Sequence, residues 1–197
     1  MLRLSRSFHC FSLGPRCMQG MRRLALTGTP ATGKSSVCAL LDSGDFDILT
    51  VRGLAVENDC IGEVDASDDA RPIDLEMLSE ALEELWIGPP EKMTIIDGHL
   101  SHLLPVDGVV LLRCRPDILR GRLDERGYHN TKSESNVEWE FIGGAWNEYD
   151  SSVPWTEFDT SENSAGSIVQ LMRTWISDGF KPKTPDSGID WIEQGAV

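Results

Sequence analysis

Gly28-Thr29-Pro30-Ala31-Thr32-Gly33-Lys34-Ser35 is the stretch that decides the predicted fold. It matches the pattern G-x-x-x-x-G-K-[ST], in which glycines let the backbone curl so that successive N–H groups point at one phosphate. A strand-like apolar run (23–27) precedes it, and a helix-like run (36–41) follows it. Because the motif requires this strand–loop–helix context, a chance match in a Gly-rich turn is the weaker interpretation. The stretch predicts a nucleotide-phosphate site at a helix N-terminus.

Four side chains in and after this loop have predicted chemical roles. Lys34 is expected to neutralise the β- and γ-phosphate oxygens, and the Ser35 hydroxyl to bind a magnesium ion. Asp97 ends the apolar run 93–96, which is the Walker B pattern, so we expect it to hold magnesium through water; a turn or helix-capping aspartate is the alternative. His99 is expected to face the same cleft, where it would position a water molecule or polarise a phosphate. A purely structural histidine is the equal alternative.

Phosphoryl transfer also needs cations over the transferred group. A helix is predicted to begin at Pro116, and Arg122 and Arg126 follow this start. Because they are four residues apart, they share one face of the helix. Surface pairing with the neighbouring acidic residues is the alternative. Gly127 then breaks the helix, and a polar stretch runs on to Lys132. This pattern indicates a flexible lid that closes on ATP.

Short apolar runs alternate with helical patterns along the rest of the chain. Strands are predicted at 46–49, 93–96, 109–112 and 155–158, in addition to 23–27. Continuous apolar strands that alternate with helices indicate an α/β fold with a five-stranded parallel sheet and helices on both faces. The nucleotide is then expected at the carboxyl edge of that sheet.

The predicted helices are marked by the spacing of their apolar residues. Asp74 is expected to cap a helix that buries Leu75, Leu78, Leu82 and Leu85. A further helix is expected to start at Ser133 and to carry Val137, Phe141 and Ile142. The last helix is expected to bury one face, made of Ile168, Val169, Leu171, Met172, Trp175 and Ile176. The polar, acidic stretch 58–72 is expected to be an exposed loop, either a solvated linker or a binding segment.

The composition is that of an ordinary globular protein, with 25% charged and 40% hydrophobic residues among 197. The net charge of −14 argues against general nucleic-acid binding but suits a basic protein partner. No apolar run is long enough to cross a bilayer. The five cysteines form no C-x-x-C pair, so we expect reduced thiols, no cysteine-bound zinc and a cytoplasmic location.

The two ends of the chain differ from the predicted domain at 21–177. Residues 1–20 contain three arginines and no acidic residue, which is typical of a targeting peptide. We favour the alternative that Met21 is the true start and that 1–20 is an upstream extension, because Met21 directly precedes the first strand. The tail 178–197 is rich in Pro and Gly, and is expected either to be disordered or to dock through Ile189, Trp191 and Ile192.

The motifs TGTPATGKSS (27–36), DGHLSHLLP (97–105) and RLDERGY (122–128) resemble those of the adenylate kinase isoenzyme 6 family, with the archaeal branch most similar. The resemblance covers about residues 21–177, and the second and third motifs are specific to that family. It implies a P-loop nucleoside monophosphate kinase with a short lid, acting as a broad-specificity adenylate kinase and ATPase with ATP and Mg²⁺. It also implies a role in late maturation of the small ribosomal subunit and its 16S rRNA, through a ribosomal protein of the S11 class and the subunit precursor. A monomer is expected.

The resemblance also implies roles for individual residues. Catalysis would fall to Lys34, Asp97, His99 and Arg126. The nucleotide would be bound by Ala31, Gly33, Lys34, Ser35, Ser36 and Arg126. The monophosphate-binding segment would span about 50–73, and the lid about 125–135.

Two departures from the family pattern bear on this interpretation. Ala31 stands where many members have glycine, and we expect its methyl group to require a negative φ. The acceptor phosphate needs a bidentate arginine, and the monophosphate segment offers Arg52 and Arg71, neither of them in a recognisable motif. Arg122 is a further candidate. Binding of ATP is therefore better supported than phosphorylation of AMP or another nucleoside monophosphate.

Three other functions compete with the adenylate kinase interpretation. The first is an ATP-hydrolysing ribosome assembly factor with little true kinase activity, and the second is a small-metabolite kinase on the same scaffold. The third, a signalling GTPase, is disfavoured because no Asn-Lys-x-Asp run is present to bind guanine.

Overall fold

The computed structural model describes residues 20, 22–41, 44–62, 71–185 and 188–195. Met21, nearly all of the predicted extension 1–20 and the middle of the acidic loop (63–70) lie outside the described residues. The hypotheses about the true start of the chain therefore stay predictions.

The described residues form a five-stranded sheet with the order β2-β3-β1-β4-β5. Its strands are Arg23–Thr27 (β1), Phe46–Thr50 (β2), Met93–Asp97 (β3), Gly108–Arg113 (β4) and Trp155–Asp159 (β5). All four neighbouring pairs run parallel. The predicted α/β class and its five-stranded parallel sheet are confirmed.

The helices of the described residues are Lys34–Leu41 (α1), Val51–Glu57 (α2), Leu75–Leu85 (α3), Pro116–Glu125 (α4), Asn130–Phe141 (α5) and Ala165–Ser177 (α6). The alternation of side chains along β1 shows how they cover the sheet. Leu24 and Leu26 point into the core shared with α1 and α6, whereas Ala25 points into the core shared with α2 and α3. A third, smaller core joins α4 and α5 to the loop after β1.

Capping side chains begin three of these helices where the sequence contains Thr, Asp or Ser. The Thr50 hydroxyl accepts a hydrogen bond from the Gly53 N–H, and the Asp74 carboxylate accepts one from the Met77 N–H. Ser164 accepts in the same way from Ser167. Each bond pairs a backbone donor that the first helical turn leaves without a partner.

The buried faces of some helices contain fewer residues than the spacing of apolar residues predicted. Leu85 is 64% exposed and Leu171 is 41% exposed, so their predicted burial is wrong. Leu85 is exposed because it is the last residue of α3. Leu171 is exposed because the face of α6 that packs on the sheet is already formed by the four buried residues of this helix. Ile142, expected inside the fifth helix, follows the end of α5 and is exposed.

The ends of the acidic loop are held by the fold. Cys60 is 1% exposed, and its backbone accepts a hydrogen bond from the Asp74 N–H at 3.0 Å. Ile61 and Ile73 form an antiparallel bridge. The expectation of an exposed loop at 58–72 is therefore wrong at Cys60, whereas Arg71 and Pro72 at its other end are exposed as expected.

Part of the C-terminal tail packs on the domain. Phe180 and Trp191 are each 2% exposed, and the Trp155 N–H donates to the Lys183 carbonyl at 2.8 Å. The predicted docking is confirmed for Trp191, whereas Ile192 is exposed. Among the described residues, no helix has the length and apolar character needed to span a membrane.

Candidate active site

The loop between β1 and α1 has the curled backbone that the motif requires. Gly28 has φ +135°, and a Cβ at this position would lie 2.3 Å from the Leu112 carbonyl oxygen of β4. Gly33 has φ +97°, and its carbonyl accepts the N–H groups of Ser36 and Val37 at 3.0 and 3.1 Å, which starts α1. Only glycine fits the first position, since any side chain there would collide with the neighbouring strand.

Ala31 contradicts the expectation that its methyl group needs a negative φ. It has φ +70°, in the left-handed region, and is 5% exposed. This conformation costs an L-residue about 1–2 kcal/mol. The methyl group packs in the core formed with Leu119 and Leu123 of α4 and Val137 of α5. The packing holds the loop in the strained conformation.

Lys34 is the first residue of α1, and its side chain reaches back across the loop. Its ammonium donates hydrogen bonds to the carbonyls of Gly28 at 2.7 Å and Thr29 at 3.0 Å. Burial lowers its pKa from 10.5 to about 8; the charge of Asp97 opposes this shift, and that of Arg126 adds to it. The amine therefore lies in a desolvated site where an anion would restore its preference for the charged form.

Asp97 is the last residue of β3 and lies beside Leu26 of β1. Desolvation raises the pKa of its carboxyl, while the Lys34 charge and a hydrogen bond with the Cys38 thiol oppose the rise. Burial and the Asp97 charge raise the pKa of Cys38 to about 12, so its thiol stays protonated and donates to the carboxylate. Lys34 and Asp97 thus interact at the carboxyl edge of the sheet, as the sequence predicted.

Cys38 was not among the predicted site residues. It follows Lys34 by four positions on α1, so the two side chains share a helix face. That spacing was the available signal. It is weak, because a buried cysteine is common in helices of any kind.

His99 lies beyond β3, next to the phosphate loop. Its Nδ1 is 3.1 Å from the Gly28 carbonyl, so this nitrogen carries the hydrogen and donates. Partial desolvation lowers its pKa, although the side chain remains exposed. The imidazole is therefore neutral near pH 7, and its Nε2 is left as an acceptor that could orient a water molecule.

A second histidine supports this turn and was missed by the sequence analysis. Nδ1 of His102 is 2.8 Å from the Thr27 hydroxyl, and its Nε2 is 2.8 Å from a Glu148 carboxylate oxygen. The Thr27 hydroxyl in turn donates to the His99 carbonyl at 2.7 Å. His102 is 9% exposed and so acts on the site by holding the backbone of His99. The H-x-x-H spacing was visible, but its partners lie far away in sequence.

A cleft of about 340 Å³ opens beside the phosphate loop, between Ala31–Gly33 on one side and α4 and the start of α6 on the other. Arg122 and Arg126 both line it. Arg122 is fixed by hydrogen bonds to the backbone and hydroxyl oxygens of Thr160, at 2.7 and 3.1 Å. Arg126 directly follows α4, is exposed, and is close enough to Lys34 to affect its pKa.

Of the three candidate acceptor arginines, Arg122 lines this cleft and the other two lie elsewhere. Arg52 is exposed on α2, and Arg71 is exposed beside the undescribed part of the acidic loop. Their role toward a monophosphate stays a prediction.

The predicted flexible stretch between Gly127 and Lys132 is shorter in the structure. Gly127, two residues after the end of α4, has φ +72°, but α5 already begins at Asn130, three residues before the predicted start at Ser133. The first three residues of α5 are polar and exposed, so they lack the apolar periodicity that marks a helix in sequence. The non-helical part of this stretch is confined to residues 126–129, between the two helices.

The oxygen ligands at the loop suit magnesium. Among the described residues, no group of three or more His, Cys, Asp or Glu side chains is arranged to hold a metal ion. Mg²⁺ does not need such a group, because it usually takes one or two carboxylates and completes its shell with phosphates and water. Ser35, exposed in the first turn of α1, and Asp97, oriented by Cys38, provide a hydroxyl and a carboxylate of this kind.

Comparison with known proteins identifies the family. The AAA domain family matches residues 24–143. A Pyrococcus abyssi protein named "Putative adenylate kinase" is 34% identical over 175 residues, covering 86% of this chain and 91% of its own. A Methanocaldococcus jannaschii protein of the same name is 33% identical over 174 residues, covering 87% and 94%.

Solved structures agree on the fold. Deoxyadenosine kinase from M. mycoides with bound dATP superimposes with a TM-score of 0.51 at 13% identity, covering 78% of this chain and 98% of that one. At this identity the likeness concerns the fold alone. Taken with the phosphate loop and its lysine–aspartate pair, the sequence matches show that this chain belongs to the archaeal adenylate kinase family of P-loop proteins.

Proposed function

We propose that this protein is a broad-specificity adenylate kinase, ATP + AMP = 2 ADP, that also hydrolyses ATP. The observation that carries the proposal is the curled loop at the carboxyl edge of the sheet, with Gly28 and Gly33 at positive φ and the Lys34 ammonium bound back to its carbonyls, close enough to Asp97 for the two charges to affect each other. Relatives named as adenylate kinases, at about a third identity over most of the chain, support the same conclusion.

The donor of the phosphoryl group would lie along the loop. Backbone N–H groups of the loop would bind the β- and γ-phosphates. Two of the three N–H donors of the Lys34 ammonium are bound by the Gly28 and Thr29 carbonyls, and the third would donate to the phosphate oxygens. Arg122 and Arg126 would cover the nucleotide from α4. Magnesium, held by Ser35 and through water by Asp97, would supply charge neutralisation between the phosphate oxygens.

The acceptor would approach from the side of His99. Its Nε2, to which no described residue donates a hydrogen bond, can accept one from water, which favours some hydrolysis when no acceptor is bound. The monophosphate would bind between this turn and the segment at about 50–73, where Arg52 and Arg71 are exposed. Hydrolysis and transfer therefore compete for one bound ATP.

The decisive experiment measures phosphoryl transfer from ATP to AMP and to water side by side, on protein that starts at Met21. We expect ADP to form faster with AMP than without it, and Lys34→Ala to abolish both reactions. Turnover unchanged in Lys34→Ala would refute the site. Sugar and shikimate acceptors in the same assay test the small-metabolite kinase, which would phosphorylate one of them in preference to AMP.

We further propose a role in maturation of the small ribosomal subunit, through a basic ribosomal protein of the S11 class. The net charge of −14 favours such a partner, because an acidic surface attracts a basic one. A pull-down with the S11-class protein should show binding that depends on whether ATP or ADP is present. Equal or absent binding with both nucleotides would contradict this role and leave the kinase proposal standing.

A further inference from the structure

The described end of the chain, residues 188–195, lies against the buried end of α5; we call it the C-terminal strap. Trp191 is 2% exposed, and its indole N–H donates to Oε1 of Glu140 at 3.1 Å. The backbone of Ile189 is held as well, since its N–H donates to Glu157 and its carbonyl accepts from Arg113. The strap is therefore fixed by both side-chain and backbone hydrogen bonds.

The Glu140 carboxylate connects the strap to the phosphate loop. Glu140 is 3% exposed, and its Oε1 accepts from Arg113 Nε at 2.7 Å and from the Cys114 N–H at 3.1 Å, besides Trp191. Its other oxygen, Oε2, accepts from the Thr29 hydroxyl at 2.6 Å. The last turn of α5, the strap and the phosphate loop thus meet at one carboxylate.

Thr29 is the residue through which Glu140 acts on the site. The Thr29 carbonyl accepts from Lys34 Nζ at 3.0 Å and from the N–H and hydroxyl of Thr32 at 3.3 and 2.9 Å. Fixing the Thr29 side chain therefore fixes the carbonyl around which the loop is folded. The buried carboxylate also raises the pKa of Lys34 by its charge.

The charges of this network explain why the strap matters. Arg113 is a single buried cation that pairs with two carboxylates, Glu140 at 2.7 Å and Glu157 at 3.2 Å. The strap gives each carboxylate one further donor, the indole of Trp191 and the N–H of Ile189. Without those donors, buried negative charge would be left short of hydrogen bonds, and the Glu140 carboxylate would move or draw in water.

We propose that the C-terminal strap is a working part of the nucleotide site, in which Trp191 and Glu140 are positioning residues that hold Thr29, and through it Lys34, for the terminal phosphates. The inference rests on the proposed function, namely that the loop binds MgATP. It assigns a role to a segment that lies outside both the phosphate loop and the region matched to the AAA domain family.

The test compares Trp191→Phe with Trp175→Phe. Each change keeps an aromatic ring and removes one buried indole N–H; that of Trp175 donates to the Pro182 carbonyl, on the core shared with α6. MgATP affinity, measured by calorimetry, should fall about three- to tenfold in Trp191→Phe. The expected loss is smaller than the full stabilisation that a hydrogen bond to a charged group provides, because Trp191 acts on the nucleotide only through Glu140 and Thr29. It should be unchanged in Trp175→Phe. Equal affinity in the two variants would overturn the inference.

A double-mutant cycle shows whether the effect passes through the loop. Thr29→Val removes the hydroxyl that Glu140 accepts, so adding Trp191→Phe should weaken binding little further. Effects that simply add would refute the coupling.

The unmodified protein provides an independent measurement. Because coupling between sites is reciprocal, saturating MgATP should slow hydrogen exchange at the indole N–H of Trp191 more than at that of Trp175 in the same spectrum. Equal slowing at both would contradict the inference. If the unmodified protein binds no MgATP, the proposed function itself fails; if it binds MgATP and Trp191→Phe binds equally well, only the role of the strap fails.

Discussion

Lys34 should make ATP binding weaken as the pH rises above 8. Burial lowers the pKa of its ammonium from 10.5 to about 8 in the empty site, whereas bound phosphates favour the charged form and raise the pKa again. Below the lowered pKa the amine is already charged, so binding needs no proton. Above it, binding must return a proton to Lys34, and affinity falls as protons become scarce.

The size of the effect follows from the fraction of empty sites that carry the charged amine. Above a pKa of about 8 this fraction falls about tenfold for each pH unit. The dissociation constant of MgATP should therefore rise about tenfold between pH 7 and pH 9, and about thirtyfold by pH 9.5. The terminal phosphate ionises near pH 6, and the pKa of His99 is lowered, so neither group titrates in this range.

Calorimetry between pH 7 and pH 9.5, in two buffers with different heats of ionisation, measures both the affinity and the protons taken up. Uptake should approach one proton per MgATP above pH 9. Lys34→Arg is the control, since a guanidinium stays charged throughout and its affinity should not vary with pH. A flat profile without proton uptake in the unmodified protein, or a parallel fall in Lys34→Arg, would refute the reasoning.

Three substitutions around the loop test the rest of the site. Gly28→Ala should abolish MgATP binding and lower the melting temperature, because its Cβ would lie 2.3 Å from the Leu112 carbonyl oxygen; a variant that binds normally would contradict the loop geometry. Ala31→Gly should retain binding and change the free energy of unfolding by less than about 1 kcal/mol in a urea titration, because relief of left-handed strain offsets the lost methyl packing. Cys38→Ala should raise the magnesium concentration needed for half-maximal turnover, because Asp97 loses a hydrogen-bond donor. Cys38→Ser keeps a donor and should leave that concentration unchanged. Equal shifts in both variants would show that Cys38 does not orient Asp97.

The parts of the site that could be predicted lie within one short stretch or at the end of one strand. Lys34 and Ser35 are positioned by the backbone of the loop that contains them, and Asp97 by the parallel pairing of β3 with β1. Local patterns suffice for such residues because the strand order of a parallel sheet brings the carboxyl ends together. The order itself, with β3 between β1 and β2, was not predicted.

The residues that were missed depend on contacts between distant parts of the chain. Glu140 lies 111 positions from Thr29, and Trp191 lies 51 positions from Glu140. In the sequence, Glu140 is one of several acidic residues on a polar helix, and nothing local separates it from the solvated ones. The strained φ of Ala31 has the same origin, because only the packing of α4 and α5 against the methyl group makes that conformation acceptable.

The contacts of α5 limit which part of the predicted lid can move. Val137 packs under Ala31 and Glu140 binds Thr29, so one face of this helix is attached to the phosphate loop at two points. Arg126, by contrast, is exposed at the end of α4 and separated from α5 by a short turn around Gly127. A closing motion that carried α5 away would pull the loop out of shape and lose the site that it covers. Closure over a nucleotide must therefore come from the turn, and from Arg126 swinging on it, while α5 remains part of the fixed floor.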